Sequence, residues 1–415
     1  MSDAPAAVDL FSPASLDALD AAGSVEVVVG VHVVNHARRI GDVLDGLSSA
    51  VQACAGSRPA GVLVADAGSQ DGTPDAIGAW CSSRVTGPTR GFVDVVAPRH
   101  RGRAMRALLL AAQRVGARAV VLVDADVTST RQYWLAALLD PVLREEADYV
   151  SPAYVRSVSE GTLTTNLLAP VTRALYGARI QQVMGGCAAL SGDAMGSWLL
   201  PFVDADDWPP HAPELWLTAS AVASDARLAE VPLDRKVVTP GVPQPDLATI
   251  LVRTVGPLFA LMERHQAAWL NRTGPVSVLR RGDASPVQAD ARSPAVDQMV
   301  RAFDLGLKDL LPVWEQIVPE STLARLYPLT LMASDEFRLP PPLWARIVSD
   351  FAVAHHERRL PREHLLRALT PLYLGRTAAF IVHVRTMSLS RIPDAFEAID
   401  RAFEDEREHL VARWR

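Results

Sequence analysis

Three cysteines in 415 residues, Cys54, Cys81 and Cys187, are too few and too scattered for a disulfide framework or a close metal-thiolate cluster. Burial is the expected role for them, with Cys187 a functional candidate because it follows a predicted substrate loop. Residues 1–22 lack the basic start and apolar stretch of a secretory leader. No later uninterrupted run reaches the roughly 20 apolar residues needed to cross a bilayer. The expectation is therefore cytoplasmic residence with no membrane partner. A net charge of −6 supplies no general attraction for polyanions, so nucleic acid is not an expected partner, although a local basic pocket can still bind the phosphates of a small ligand. Three motifs are also missing: Gly-x-Gly-x-x-Gly at the first strand–helix junction, Gly-x-x-x-x-Gly-Lys-Ser/Thr, and a coherent Ser-His-Asp set. Their absence disfavours a dinucleotide enzyme, a phosphate-loop NTPase and a serine hydrolase. With 49% apolar and 21% charged residues, the chain has the balance of a folded protein. Its length suits about two or three domains.

What is present first is a βαβαβα succession. Residues 25–34 form a dense Val-rich run with no exposed alternating face, which predicts a central parallel strand covered on both sides. Beyond Asn35, the residues Ile40, Val43, Leu44, Leu47 and Val51 recur at spacings of three and four and predict a helix packed on the sheet. A second strand begins at residues 62–64 and runs into the turn-rich Asp66-Ala67-Gly68-Ser69-Gln70-Asp71-Gly72-Thr73. Pro74 then suits the first turn of a helix, where no internal hydrogen bond is lost. A third strand is expected at residues 92–96. The next helix carries Leu108, Ala111, Ala112 and Val115 on its apolar face and turns Arg106 and Gln113 toward water. Residues 119–123 return to strand and end at Asp124-Ala125-Asp126. Thr128 or Ser129 would cap a helix whose buried stripe is Trp134, Leu135, Leu138, Leu139 and Val142. The pattern predicts an α/β domain with a mostly parallel sheet, spanning residues 20–255.

A helix is expected over residues 161–176, with Pro170 marking a kink or break. Gly185-Gly186 and Trp208-Pro209-Pro210 read as loops completing a cleft, and residues 213–223 as a packed helix. Residues 256–415 read as a mostly helical accessory region, interrupted at residues 271–294 and at Pro340-Pro341-Pro342. Its last helix carries Phe396, Ile399, Phe403 and Leu410 as an apolar stripe that needs cover, either within the chain or in a homodimer.

The chemistry concentrates at strand ends. Asp124 and Asp126 leave a predicted parallel strand at its C-terminal edge, where open α/β sheets form ligand clefts. Two such carboxylates can hold a hard divalent cation and, through it, a nucleotide diphosphate. Capping of neighbouring amides is the plainer alternative. In the preceding turn Asp66 is a candidate for reading a nucleoside, while Asp71 suits a cap or turn role.

The ordered set Val34-Asn35, the Asp66-to-Thr73 turn, Arg101-Gly102-Arg103, Asp124-Ala125-Asp126, Gly161-Thr162-Leu163-Thr164 and Gln182-Val183-Met184-Gly185-Gly186 resembles the glycosyltransferase A fold enzymes, particularly glucosyl-phosphoglycerate synthases. The resemblance covers residues 25–238. It implies a glycosyltransferase A Rossmann-like domain, a nucleotide-diphospho-sugar donor and a divalent metal. By the same resemblance Val34 and Asn35 lie along the nucleotide, Asp66 and Ala67 near its base, and Arg101, or its neighbour Arg103, beside the diphosphate. Asp124 and Asp126 bracket the ribose and the metal, with Asp126 the primary metal ligand and Asp124 a second. Gly161, Thr162, Thr164, Gly185 and Gly186 line the acceptor side. Glu214, with Asp126, is assigned to the catalytic set, in a positioning role.

Departures from the family limit what carries over. Thr162 stands where the family has an arginine that reads a phosphorylated acceptor, Val238 where it has a metal-binding histidine, and Pro240 where it has a polar acceptor contact. Val has no coordinating atom. His32, His36 and His211 form no recognised metal spacing, though His36 follows the nucleotide loop; Asp204 and Asp206 read as loop acids or acceptor-cleft residues. The expected activity is transfer, with retention, of a sugar from UDP-glucose or GDP-mannose, with Mg2+ or Mn2+, to a small polar acceptor such as glyceric acid. The competing expectation is a noncatalytic sugar-nucleotide-binding protein.

Overall fold

The computed structural model describes residues 10–83, 88–95, 99–127, 130, 132–199, 209–238, 246–282, 287–288 and 295–415. The chain divides into two compact units, one of Met1–Tyr154, Met184–Val242 and Ser277–Ala284, the other of Val155–Val183, Pro243–Val276 and Ser285–Arg415. This differs from a single boundary at residue 255, because residues 155–183 group with the later helices.

The described residues contain ten strands: β1 Val27–Val33, β2 Ala60–Asp66, β3 Thr89–Val93, β4 Ala119–Asp124, β5 Tyr149–Tyr154, β6 Arg156–Ser157, β7 Cys187–Ser191, β8 Leu228–Leu233, β9 Val278–Arg280 and β10 Val287–Gln288. Eight form one sheet in the first unit, in the order β3-β2-β1-β4-β7-β5-β8-β9. β7 runs antiparallel to β4 and β5, and the other pairs are parallel. β1 and β4 are buried along their whole lengths, which is why their sequences are continuous apolar runs without alternation. Helices Ile40–Ala55 and Gln132–Leu143 cover one face with the expected apolar residues. Thr128 and Ser129, the expected cap of the second of these, lie outside the described residues. Pro74 sits in the first turn of helix Thr73–Ser82, as expected.

Helix Arg101–Arg114 corrects one expectation. Arg106, assigned to water by its helical phase, is 1% exposed, and Arg103 is 4% exposed. The helix packs on β1 and β2 and also meets helix Pro213–Ala223, so Arg103 and Arg106 are covered, while Gln113 reaches water as expected. A helical wheel marks the apolar face, but a second covering layer leaves no trace in it.

The second unit is mainly helical and contains the two-stranded pair β6–β10. Residues 164–176 begin as a π-helical turn, Thr164–Leu168, and continue as an α-helix, Ala169–Tyr176, with Pro170 in its first turn. The proline thus marks the change of helical type, where its missing N–H does least harm. Helix Val296–Asp309 lies against Thr370–Val384, and Ile392–Trp414 against both Pro341–His356 and Ala169–Tyr176. Gly306 permits the first of these approaches: a Cβ there would stand 2.3 Å from Cβ of Pro371. Ile399, Phe403 and Leu410 are buried, so the C-terminal stripe finds cover within the unit and requires no second copy. Arg173 pins the same helix through Glu397, Asp400 and Glu404 at 2.8 to 3.0 Å. The stretch Arg362–Val384 is long and apolar enough by composition to cross a membrane. Its most apolar window is 72% buried inside the protein, and that packing accounts for the composition.

His265, at the end of helix Leu247–Arg264, gives this unit an acid sensitivity. Burial, with a smaller push from Arg264, lowers its ring from 6.5 to about 4, and Nε2 has no hydrogen-bond partner among the described residues. The unfolded chain takes up this proton at a pH where the folded chain refuses it. The stabilising contribution is therefore complete above about pH 6.5 and is lost as pH falls toward 4. His265→Phe should shrink the loss of unfolding free energy between pH 7 and pH 4.5 by on the order of 2 kcal/mol, allowing for partial solvent screening. Urea titrations of both proteins at the two pH values measure it; an unchanged loss would exclude His265 as its source.

Candidate functional site

Strand order places the site. β1 lies between β2 and β4, so connections leave β1 in opposite directions and a crevice opens at the carboxyl ends. Register then brings particular residues level: His32 of β1 faces Asp124 of β4, and Val33 faces Asp66 of β2.

The loop after β1 is fastened to the turn after β2. Asn35, at φ 55°, donates its backbone N–H to Ser69 Oγ at 2.8 Å and accepts from Gln70 N–H through Oδ1 at 2.8 Å. Asp66 accepts from the Gly68 and Ser69 amides through Oδ2 and from the Ser69 hydroxyl through Oδ1. Its carboxylate thus closes the turn beneath Ala67, so any reading of a base at this point falls to the loop's backbone and rim. Asp71 accepts from the Thr73 and Ala37 amides, the cap-and-turn role expected of it. The Thr73 hydroxyl bond is the main cause holding its carboxyl below the usual range.

His36 connects this loop to the acidic motif. Nδ1 lies 2.7 Å from the Val34 carbonyl and Nε2 lies 2.8 Å from Asp126 Oδ1. Both partners are acceptors, so they favour the form of the ring with hydrogen on both nitrogens. The Asp126 bond accordingly raises the ring above the ordinary histidine range.

Asp124 is the buried member of the motif. Its Oδ1 accepts from the Asp126 amide at 3.0 Å, and its Oδ2 accepts from Arg101 Nη2 at 2.7 Å. The same Arg101 nitrogen donates to Glu214 Oε1 at 2.6 Å. Arg101 begins one helix and Glu214 lies in the first turn of another, so one guanidinium ties two helix starts to a strand end. Of Arg101 and Arg103, Arg101 holds the acids; Glu214 is the chief cause raising its basicity. Burial pushes Asp124 up, but His32, Arg101, the Asp126 amide and Lys236 outweigh it and keep the carboxyl below the usual range.

Sequence reading set His32 aside for want of a metal spacing with His36 and His211, and it missed Lys236. His32, 2% exposed, sits with Nδ1 3.9 Å from Asp124 and Nε2 3.8 Å from Glu214, and burial pushes it below the ordinary histidine range. It is hidden in the sequence because a single polar residue inside a valine run reads as strand. Lys236 donates to the Gly185 carbonyl at 3.1 Å, and a Cβ on Gly186 would meet its Nζ at 2.7 Å. Its position, two residues before Val238 and just after β8, is the signal that could have found it. Gly186 also accepts from the Asp124 amide at 2.8 Å, which brings Gly185 and Gly186 to the acidic motif.

Residues expected on the acceptor side fall in both units. Gly161, Thr162 and Thr164 belong to the second. There Gly161 has φ +68° and lies under the Arg156 guanidinium, Thr164 is buried, and Thr162 Oγ1 lies 2.7 Å from the Tyr373 hydroxyl. Asp204, Asp206 and Pro240 lie outside the described residues. Cys187 is buried, and burial pushes its thiol up to about 11, which argues for a structural role.

Val238 forms a bridge with Val127, directly beyond Asp126. The chain thus reaches the place expected for a metal-binding histidine but offers no donor atom there. His32, Asp124 and Glu214 do offer ligand atoms lying within 4.8 Å of one another, a set that suits a divalent metal.

Residues 33–191 match the family described as Glycosyl transferase family 2. Among solved structures, glucosyl-3-phosphoglycerate synthase from Mycobacterium tuberculosis, in complex with Mn2+, UDP-glucose and phosphoglyceric acid, is similar at 21% identity over 62% of this chain and 84% of that one, with a TM-score of 0.44. A mannosyltransferase from Pyrobaculum calidifontis, in complex with GDP-mannose and Mn2+, is similar at 17% identity over 94% and 86% of the two chains, with a TM-score of 0.42. Comparison with curated proteins gave no match. The first unit has the glycosyltransferase A Rossmann-like α/β fold, and a mostly helical C-terminal extension follows it.

Proposed function

We propose that the chain is a metal-dependent glycosyltransferase that moves a hexosyl group from a nucleotide-diphospho-sugar to a hydroxyl of a small polar acceptor. The observation that carries this reading is the Arg101 guanidinium bridging Asp124 and Glu214 at the β1–β4 crevice, with Arg101 and Asp124 inside the segment that matches Glycosyl transferase family 2 and Glu214 beyond it. The Val34–Asn35 loop and the turn above Asp66 and Ala67 supply backbone groups for the nucleotide. Arg101 and Lys236 supply positive charge for the diphosphate. A divalent cation, when bound, neutralises the diphosphate as the sugar leaves it.

In the transfer, the bond from the anomeric carbon to the diphosphate oxygen breaks and a bond to the acceptor oxygen forms. The acceptor proton passes to the departing diphosphate, which is compatible with retention. Glu214, held by Arg101, orients the reacting groups. UDP-glucose and GDP-mannose are the donors to try first. The neutral Thr162, where the resembled family has an arginine that reads a phosphorylated acceptor, favours acceptors such as glycerate over a strict need for a phosphorylated one. Val238 favours a second reading, a noncatalytic binder of sugar nucleotides.

Acceptor-dependent release of nucleoside diphosphate separates the two readings. The enzyme reading expects release from one donor with Mn2+ that rises when glycerate, phosphoglycerate or a small sugar is added. Tight donor binding without such release across that panel would leave the binder.

A further inference from the structure

We propose that the cation site of this chain is His32, Asp124 and Glu214 instead of Asp126 with residue 238, and that Arg101 is its resident counter-cation, which must leave the carboxylates before a divalent ion can bind. The proposal concerns binding of the ion alone and does not rest on sugar transfer.

His32 stands beside both carboxylates. The ring is buried, and each of its nitrogens faces a carboxylate at 3.8 to 3.9 Å. A neutral imidazole has one N–H and one lone pair. At those separations the ring is not hydrogen-bonded to either carboxylate, which leaves room for a cation between the ring and the acids. Nε2 has no hydrogen-bond partner among the described residues. An ion between the three side chains would satisfy that nitrogen and both carboxylates together; the ligand atoms lie within 4.8 Å of one another and would draw in by on the order of 1 Å to reach bonds of about 2.0 to 2.2 Å.

Arg101 now supplies the missing charge to two of the three. Its Nη2 is within hydrogen-bond distance of Asp124 and Glu214 together, so an ion binding both acids competes with it for the same oxygens. Once displaced, the guanidinium is available to a phosphate, for which its fork of donors is well suited. The expected alternative site is weaker in its own residues: Asp126 is paired with His36, and Val238 has no ligand atom. One imidazole with two carboxylates also favours Mn2+ over Mg2+, because magnesium takes oxygen ligands by preference.

The test is Mn2+ binding to the full chain without nucleotide, followed by electron paramagnetic resonance of the free ion. Arg101→Gln should bind Mn2+ tighter than wild type by on the order of tenfold. Arg101→Lys, which keeps the charge and loses the fork, should fall between, and it serves if the glutamine variant does not fold. Electron spin echo modulation of the bound ion should show a directly coordinated nitrogen that disappears in Arg101→Gln/His32→Phe together with the tight binding. Arg101→Gln/Asp126→Asn should keep both. Unchanged or weaker affinity in both Arg101 variants would overturn the proposal, as would loss of binding in the Asp126 double variant with the nitrogen signal independent of His32.

Discussion

Asp124→Asn should lower turnover by about 100- to 1,000-fold while leaving the fold intact. Asparagine keeps an Oδ1 acceptor for the Asp126 amide at 3.0 Å, so the turn at the end of β4 survives. It removes the negative charge that accepts from Arg101 and that offers a ligand atom in the acid cluster. What is lost is therefore the charge-assisted bond and one charge of the proposed cation site, not the packing. Steady-state release of nucleoside diphosphate, with circular dichroism as a folding control, measures the effect. Turnover within threefold of wild type would remove Asp124 from the centre of the site.

Trp344→Ala should be among the most damaging substitutions in the second unit, costing about 3 to 5 kcal/mol. The side chain is fully buried and its indole N–H donates to the Asn166 carbonyl at 2.6 Å. Asn166 in turn accepts from Arg376 Nε at 2.9 Å, and Arg376 donates to the Leu339 carbonyl at 2.8 Å. Burial lowers Arg376 to about 9, so this cation depends on the carbonyl acceptors around it. Truncating the tryptophan removes volume and leaves a buried carbonyl in the π-helical turn without its donor. Trp344→Phe should retain much of the volume and cost about 1 to 3 kcal/mol for that lost hydrogen bond. Amide exchange in helix Thr370–Val384 reads the stability of this unit. Less than 1 kcal/mol for the alanine variant would mean that the Asn166 network does not depend on the indole.

β1, β2, β4 and the helices between the first strands were legible because valine runs and three-to-four spacings follow from being covered on both faces or on one. The third strand, expected at residues 92–96, lies at Thr89–Val93, where Thr89, Arg90 and Gly91 are only partly covered and give no apolar run. β5, β7 and β8 were not anticipated, and β7 enters antiparallel between β4 and β5, a reversal that depends on long-range pairing. Asp124 was visible at a strand end, and Glu214 and Arg101 at helix starts. Their mutual contact was not, since 23 residues separate Arg101 from Asp124 and 113 separate Arg101 from Glu214. His32 was set aside for a related reason: the register that places it opposite Asp124 is a property of the paired strands, not of either sequence. Arg106 went wrong because amphipathicity describes one packed face, and its helix has two. Grouping of residues 155–183 with the later helices is likewise a matter of tertiary contact.

The central claim is that sugar transfer takes place over Asp124, and mass spectrometry of reaction products tests it most directly. Purified chain would be incubated with Mn2+, with UDP-glucose or GDP-mannose, and with glycerate, phosphoglycerate or a small sugar. The account predicts a new product heavier than one acceptor by a single hexosyl unit, formed by wild type and reduced about 100-fold or more by Asp124→Asn. No glycoside from any donor and acceptor pair, or equal product from Asp124→Asn, would contradict it.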